Sequence, residues 1–228
     1  MSESSLTYIR SASKLLKEHY QLVLIPLLLE IIASVIDTFS GENLRILSKL
    51  ATLSVFAILP VIYGRVNEIV TKNSFVSWKY LFNKYFLKYL GIAVIIGLIM
   101  CIPYFLFSML MIYTEAFRYP KIIFAFIMLT YQLIGLYAVP LLFYDNTIKQ
   151  SLLLGFKCLL GNVQYNLPII SMLLLVTILK ILHAQSDNEI ISILFRCIRW
   201  GVLFIINFII FIAITLILKD KIYSAEEI

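Results

Sequence analysis

Charge is scarce in this chain. Asp, Glu, Lys and Arg make up 14% of its 228 residues, against about 25% in a soluble domain. So few charges cannot cover a water-facing surface of this size, and a soluble globular fold is excluded. Cysteine is also sparse. Cys101, Cys158 and Cys197 are odd in number, far apart and never in a CxxC pair, so neither a disulfide framework nor a thiolate metal site is expected. Only two histidines occur, His19 and His183. GxGxxG, Walker A and HExxH patterns are absent, which removes nucleotide cradles and zincin chemistry. No cleavage pattern of small residues follows the first apolar run, so that run reads as a span and not as a signal peptide.

What is present is hydrophobic, 61% of the residues. A span needs about 20 mostly apolar residues. Six runs fit, at about 20–38, 49–68, 89–112, 121–143, 167–184 and 199–218. The net charge of +6 sits in the short segments between them, as expected for anionic headgroups and not for nucleic acid. With both termini in the cytoplasm, 12 Lys and Arg face that side and 7 the other. That bias predicts the orientation. The outer segments "SGENLRILSK", "TEAFRYP" and "HAQSDNEIIS" are too short for a receptor domain.

A repeat is visible. "SASKLLKEHYQLVLIPLLLEI" from Ser11, "SWKYLFNKYFLKYLGIAVIIG" from Ser77 and "SLLLGFKCLLGNVQYNLPIISML" from Ser151 share one plan. Each has a Ser start, Lys among Leu and aromatics, then a span. The second and fourth spans also end alike, in "ILPVIYG" and "AVPLLFY". The expected architecture is all-α, one integral membrane domain over 1–228. It holds six spans as three helix hairpins, with interfacial helices on the cytoplasmic side. In the second copy Trp78, Phe82, Tyr85, Phe86 and Tyr89 fall on one helical face, and Lys84 and Lys88 point elsewhere. An aromatic face with a cationic edge suits the boundary between acyl chains and headgroups. The competing reading is that these residues lengthen the third span. In the third copy an interfacial helix at about 147–161 is expected, capped by Asp145 and Asn146 and ending at the Gly161-Asn162 turn.

The stretch 139–162, "VPLLFYDNTIKQSLLLGFKCLLGN", resembles a pattern in uncharacterised bacterial six-helix membrane proteins. The same kind of domain is fused in front of some glycerophosphodiester phosphodiesterases. Pro140, Asp145, Asn146, Leu159, Gly161 and Asn162 fit it. Ser151 stands where the pattern has Ala, and Gly155 where it has Ser. The resemblance implies a six-helix integral membrane protein without assigned activity. No hydrophilic region here matches a phosphodiesterase domain, so that activity is not carried over.

One polar residue stands out inside a span. Glu30 lies about eleven residues, or about 16 Å, into the first run. An acidic side chain at that depth is costly and raises a functional site. Candidate partners are Asn207, Ser171, Thr177 and Thr52. Glu30 and Asn207 serve either a proton, cation or ligand path, or the holding together of helices. By the topology His19 and His183 lie on opposite faces, and no carboxylate pair or Ser/His arrangement falls at one membrane depth. No metal, no cofactor and no enzymatic activity are therefore expected. The function expected is a scaffold, accessory subunit or lipid-organising protein of the cell membrane. Its partners would be the bilayer with its anionic headgroups and, for a subunit, a second membrane protein. The alternative is a small transporter or channel using Glu30.

Overall fold

The computed structural model describes residues 5–39, 45–72, 76–113, 120–161, 163–181 and 189–220. His183, Asn162 and most of the three outer segments lie outside them. Among the described residues the chain is all helical: α1 (Ser5–Glu18), α2 (Gln21–Phe39), α3 (Arg45–Lys72), α4 (Trp78–Tyr113), α5 (Pro120–Leu142), α6 (Ile148–Gly161), α7 (Val163–Ile181) and α8 (Glu189–Leu218). Four stretches are long and apolar enough to cross a membrane: Ile46–Thr71, Trp78–Leu106, Ala125–Leu142 and Cys197–Leu218. The apolar stretches of α2 and α7, Gln21–Ala33 and Asn166–Lys180, are shorter. Proline lies inside α2, α3, α4, α5 and α7, at Pro26, Pro60, Pro103, Pro140 and Pro168.

The chain forms two compact units, residues 1–86 with 182–228, and residues 87–181. In the first, α8 packs on α1, α2 and α3, and α2 also packs on α3. The end of α8 is buried all round: Phe208, Ile212, Ala213, Ile214 and Leu218 have no exposed surface. Tyr63 of α3 stacks on Phe211 of α8 at 4.2 Å between ring centroids. The stripe of α1 that packs inward is Tyr8, Ala12 and Leu16, four residues apart, which is one face of a helix. In the second unit α5 takes the central place. Its last turns, from Leu136 to Phe143, are buried except for the half-buried Val139, and α6 and α7 pack on α5. Axes of α6 and α7 differ by 111°.

Small residues set the closest approach. Ser151 and Gly155, four apart on α6, are its buried residues. A Cβ on Gly155 would stand 2.8 Å from the Ala138 backbone nitrogen of α5. Small residues let helix backbones approach in this way. The Ser151 hydroxyl is buried there without a hydrogen-bond partner among the described residues. Ser151→Ala is therefore expected to raise stability by roughly 1 kcal/mol, since an unpaired buried polar group is destabilising. Thermal unfolding in detergent checks it, and a lower midpoint would show that the hydroxyl is held.

Two expectations about local structure change. The helix after the opening stretch is capped by Thr147, not by Asp145 or Asn146. Thr147 Oγ1 accepts from the Gln150 N–H at 3.3 Å, and Gln150 Oε1 accepts from the Thr147 N–H at 3.0 Å, a reciprocal capping box. Asp145 and Asn146 instead finish α5. Asp145 has φ 64°, left-handed backbone that Asp tolerates better than most residues, and the Asn146 amide donates to the Leu141 carbonyl at 2.9 Å. Serines of the three copies are not equivalent either. Ser77 caps α4, accepting from the Tyr80 N–H at 3.3 Å, whereas Ser11 and Ser151 lie inside α1 and α6.

Candidate functional site

The aromatic segment of the second copy is not a separate helix. Trp78 to Tyr113 run as one helix of 36 residues, about 54 Å at 1.5 Å per residue. Its buried stripe is Leu81, Tyr85, Ile92, Ile96 and Met100. Trp78 and Phe82 are exposed, and Lys84, Phe86, Lys88 and Tyr89 are half-buried. Of the proposed aromatic face only Tyr85 turns fully inward, because Gly64 on α3 leaves room for its ring. A Cβ on Gly64 would stand 2.7 Å from Tyr85 Cδ2. Outside, Phe82 and Phe86 stack at 4.6 Å, and the Lys84 ammonium lies 5.0 Å from the Tyr85 ring centre and 5.8 Å from that of Tyr80. These are cation–π distances. The segment is a membrane-facing extension of a long helix that carries aromatics and lysines on its outer side.

Glu30 is half-buried in α2, with Oε2 buried and unpartnered among the described residues. Three of its candidate partners are turned to their own helices. Asn207 Nδ2 donates to the Leu203 carbonyl at 2.8 Å, Thr52 to that of Ser48 at 3.1 Å, and Ser171 to that of Pro168 at 2.7 Å. Thr177 donates to the Leu173 carbonyl at 2.9 Å and meets Gln132 Oε1 at 3.4 Å. Glu30→Leu is expected to stabilise the fold by up to about 1–3 kcal/mol, the cost of an unpaired buried polar group. A fall in melting temperature would show that the carboxyl has a partner that matters.

Polar groups that are placed together occur elsewhere, where α3 ends. Asn67 and Glu68 are 4% and 2% exposed, nearly as buried as the apolar residues around them. Arg65, one turn before Ile69, donates from Nη1 to the Val76 carbonyl at 2.9 Å and so fixes the chain before α4. Lys219, after α8, donates to the Val70 carbonyl at 2.8 Å. Both bonds serve carbonyls at or beyond the end of α3, where helical carbonyls lack intrahelical partners. Sequence reasoning took Arg65 only as a loop cation and passed over Asn67 and Glu68. The signal was the run "GRVNE", three polar residues inside the last turns of an apolar helix.

Beside this cluster is a cleft of about 260 Å³. Glu18, His19 and Gln21 line it from the α1–α2 junction, Arg65 and Ile69 from α3, Trp78 from α4, and Leu22 and Ile25 from α2. Among the described residues no group of three or more His, Cys, Asp or Glu is placed to hold a metal. Cys101, Cys158 and Cys197 are free thiols. No protein family, curated protein or solved structure matches this chain.

Proposed function

We propose that this chain is a non-catalytic integral membrane protein that organises lipid at the cytoplasmic interface, as a scaffold or accessory subunit. It has six spans in three helix hairpins, and both termini lie in the cytoplasm. The observation that carries the reading is the outer side of α6. Leu153, Phe156 and Leu160 are 63%, 57% and 61% exposed, and exposed Lys149 and Lys157 flank them. Facing water, such a patch would be an aggregation surface. At a bilayer it lies in the headgroup boundary with its lysines on anionic phosphates. The docked stripe of Ser151 and Gly155 holds this wedge rigidly to α5.

The hairpin repeat is supported by the shared plan of the two units. In each, a central helix is buried at its end by an amphipathic helix and the helix that follows it: α8 by α1 and α2, α5 by α6 and α7. The cytoplasmic placement of these ends rests on the lysine and arginine bias. Resemblance of residues 139–162 to a bacterial six-helix family agrees with the helix number and adds no activity. A second reading, a transporter or channel, rests on the unpartnered oxygen of Glu30 alone, since Asn207 is turned to its own helix.

Native mass spectrometry of the protein extracted gently from its own membranes tests the proposal. Phospholipid is expected to be retained, and to decrease in a Phe156→Ser/Leu160→Ser variant of unchanged melting temperature. A stoichiometric protein partner with no retained lipid would overturn the lipid role in favour of a subunit.

A further inference from the structure

The cleft at the α1–α2 junction holds charges of both signs that do not neutralise each other. Arg65 is fixed on one wall by its bond to the Val76 carbonyl. A guanidinium carries five N–H donors, and this bond uses one. Glu18 is on the opposite wall with His19. Among the described residues Glu18 makes no ion pair or hydrogen bond. Opposite charges that face one cleft without joining complement a ligand that itself carries both signs. The volume of about 260 Å³ lies below the usual range of about 300–1,000 Å³ for whole small-molecule ligands. It suits a headgroup and leaves long chains outside. From the cleft an exposed apolar stripe runs along α2 through Ile25, Leu28 and Ile32, three or four residues apart and so on one face. Trp78, 46% exposed, stands at the cleft, and Trp is the side chain most at home at a membrane interface.

We propose that this cleft binds the headgroup of a zwitterionic aminophospholipid, with the phosphate on Arg65 and the amine on Glu18, and with the acyl chains along Ile25, Leu28 and Ile32. It rests on the membrane reading above and names the lipid class that one site selects. Arg65 is the stronger determinant, because guanidinium meets phosphate through two parallel N–H bonds, and the bond to Val76 has already ordered it. Glu18 supplies the choice between headgroups. An anionic glycerol headgroup presents no cation to it, and its charge then repels. His19 adds a donor to the phosphate side.

The chain has two tryptophans, Trp78 and Trp200, so the Trp200→Phe protein reports from the cleft alone. In maltoside micelles it is titrated with dihexanoyl phosphatidylethanolamine, dihexanoyl phosphatidylglycerol and inorganic phosphate. The ethanolamine lipid is expected to shift Trp78 emission at a concentration at least about tenfold lower than the glycerol lipid. Glu18→Gln should erase that preference while keeping binding. Arg65→Gln should abolish binding. Because Arg65 also holds the chain before α4, Ile25→Phe, which fills the cleft from an exposed position, is the second variant and should block both lipids. Equal response to the two lipids would overturn the role of Glu18. A response to inorganic phosphate at the same concentration as to lipid would overturn the lipid assignment in favour of free phosphate. An unchanged spectrum with all three would overturn the site. Retained lipid in native mass spectrometry with no Trp78 response would leave the lipid role standing and remove this cleft; the converse would keep the cleft and remove the role.

Discussion

Replacing Gly155 by leucine is expected to detach α6 from α5. A Cβ at this position meets the Ala138 nitrogen at 2.8 Å, its Cα at 3.0 Å and its Cβ at 3.1 Å. Two of these are backbone atoms of a buried helix, and they cannot rotate away as a side chain can. Relief requires one helix to move, and α5 is fixed by α7 as well. Overpacking typically costs about 1–3 kcal/mol, and an unyielding neighbour puts this site at or above the upper end. Even Gly155→Ala should destabilise, although alanine is the better helix former by about 1 kcal/mol. Gly97 is the control. A Cβ there meets nothing within 4 Å, so Gly97→Ala should be neutral or stabilising by up to about 1 kcal/mol. Thermal unfolding of the three variants in one detergent reads the effect. Wild-type stability in Gly155→Leu would mean that α6 is not docked as described.

Asn166 carries the second large effect. It has no exposed surface and joins three helices. Its Oδ1 accepts from the Tyr137 hydroxyl of α5 at 2.6 Å, and its Nδ2 donates to the Leu159 carbonyl of α6 at 2.8 Å. Leu159 is among the last four residues of α6, whose carbonyls have no partner within the helix. Asn166 therefore caps α6 from α7. Asn166→Leu leaves a buried hydroxyl and a helix-end carbonyl unpaired, at about 1–3 kcal/mol for each. Tyr137→Phe removes only the hydroxyl side and should cost less. In the double-mutant cycle the pair should couple by about 0.5–3 kcal/mol. Additive losses would mean that the 2.6 Å bond contributes nothing to holding α5 against α7.

Hydropathy made the apolar helices legible. α2, α3, α5, α6, α7 and α8 lie close to the expected runs, because burial in hydrocarbon or in protein demands the same apolar composition. The run 147–161 was legible as a separate helix between two longer ones from its lysines among leucines. Its cap was misplaced by one or two residues. Asp, Asn and Thr are all good caps, and which of three adjacent residues takes that position depends on where the preceding helix stops. Here the left-handed backbone at Asp145 stopped α5, and Thr147 with Gln150 began α6. The break expected between Trp78 and the third span did not occur. Lysines and aromatics are compatible with an interfacial helix and with the exposed flank of a long one, and only the packing of Tyr85 into the space left by Gly64 separates the two.

Composition and periodicity by themselves determined that this chain is helical, that most of its helices are apolar, and that its cations cluster in the short segments between them. These properties are local, set by transfer from water and by helical spacing. Contacts between residues far apart in sequence were decided only by the tertiary structure. Gly155 meets Ala138, Asn166 spans from Tyr137 to Leu159, Arg65 reaches Val76, and Glu18 faces Arg65 across one cleft. A small or polar residue in an apolar run has no periodic signature of its own. Its role is fixed by the backbone, carbonyl or charge that the folded chain brings opposite it.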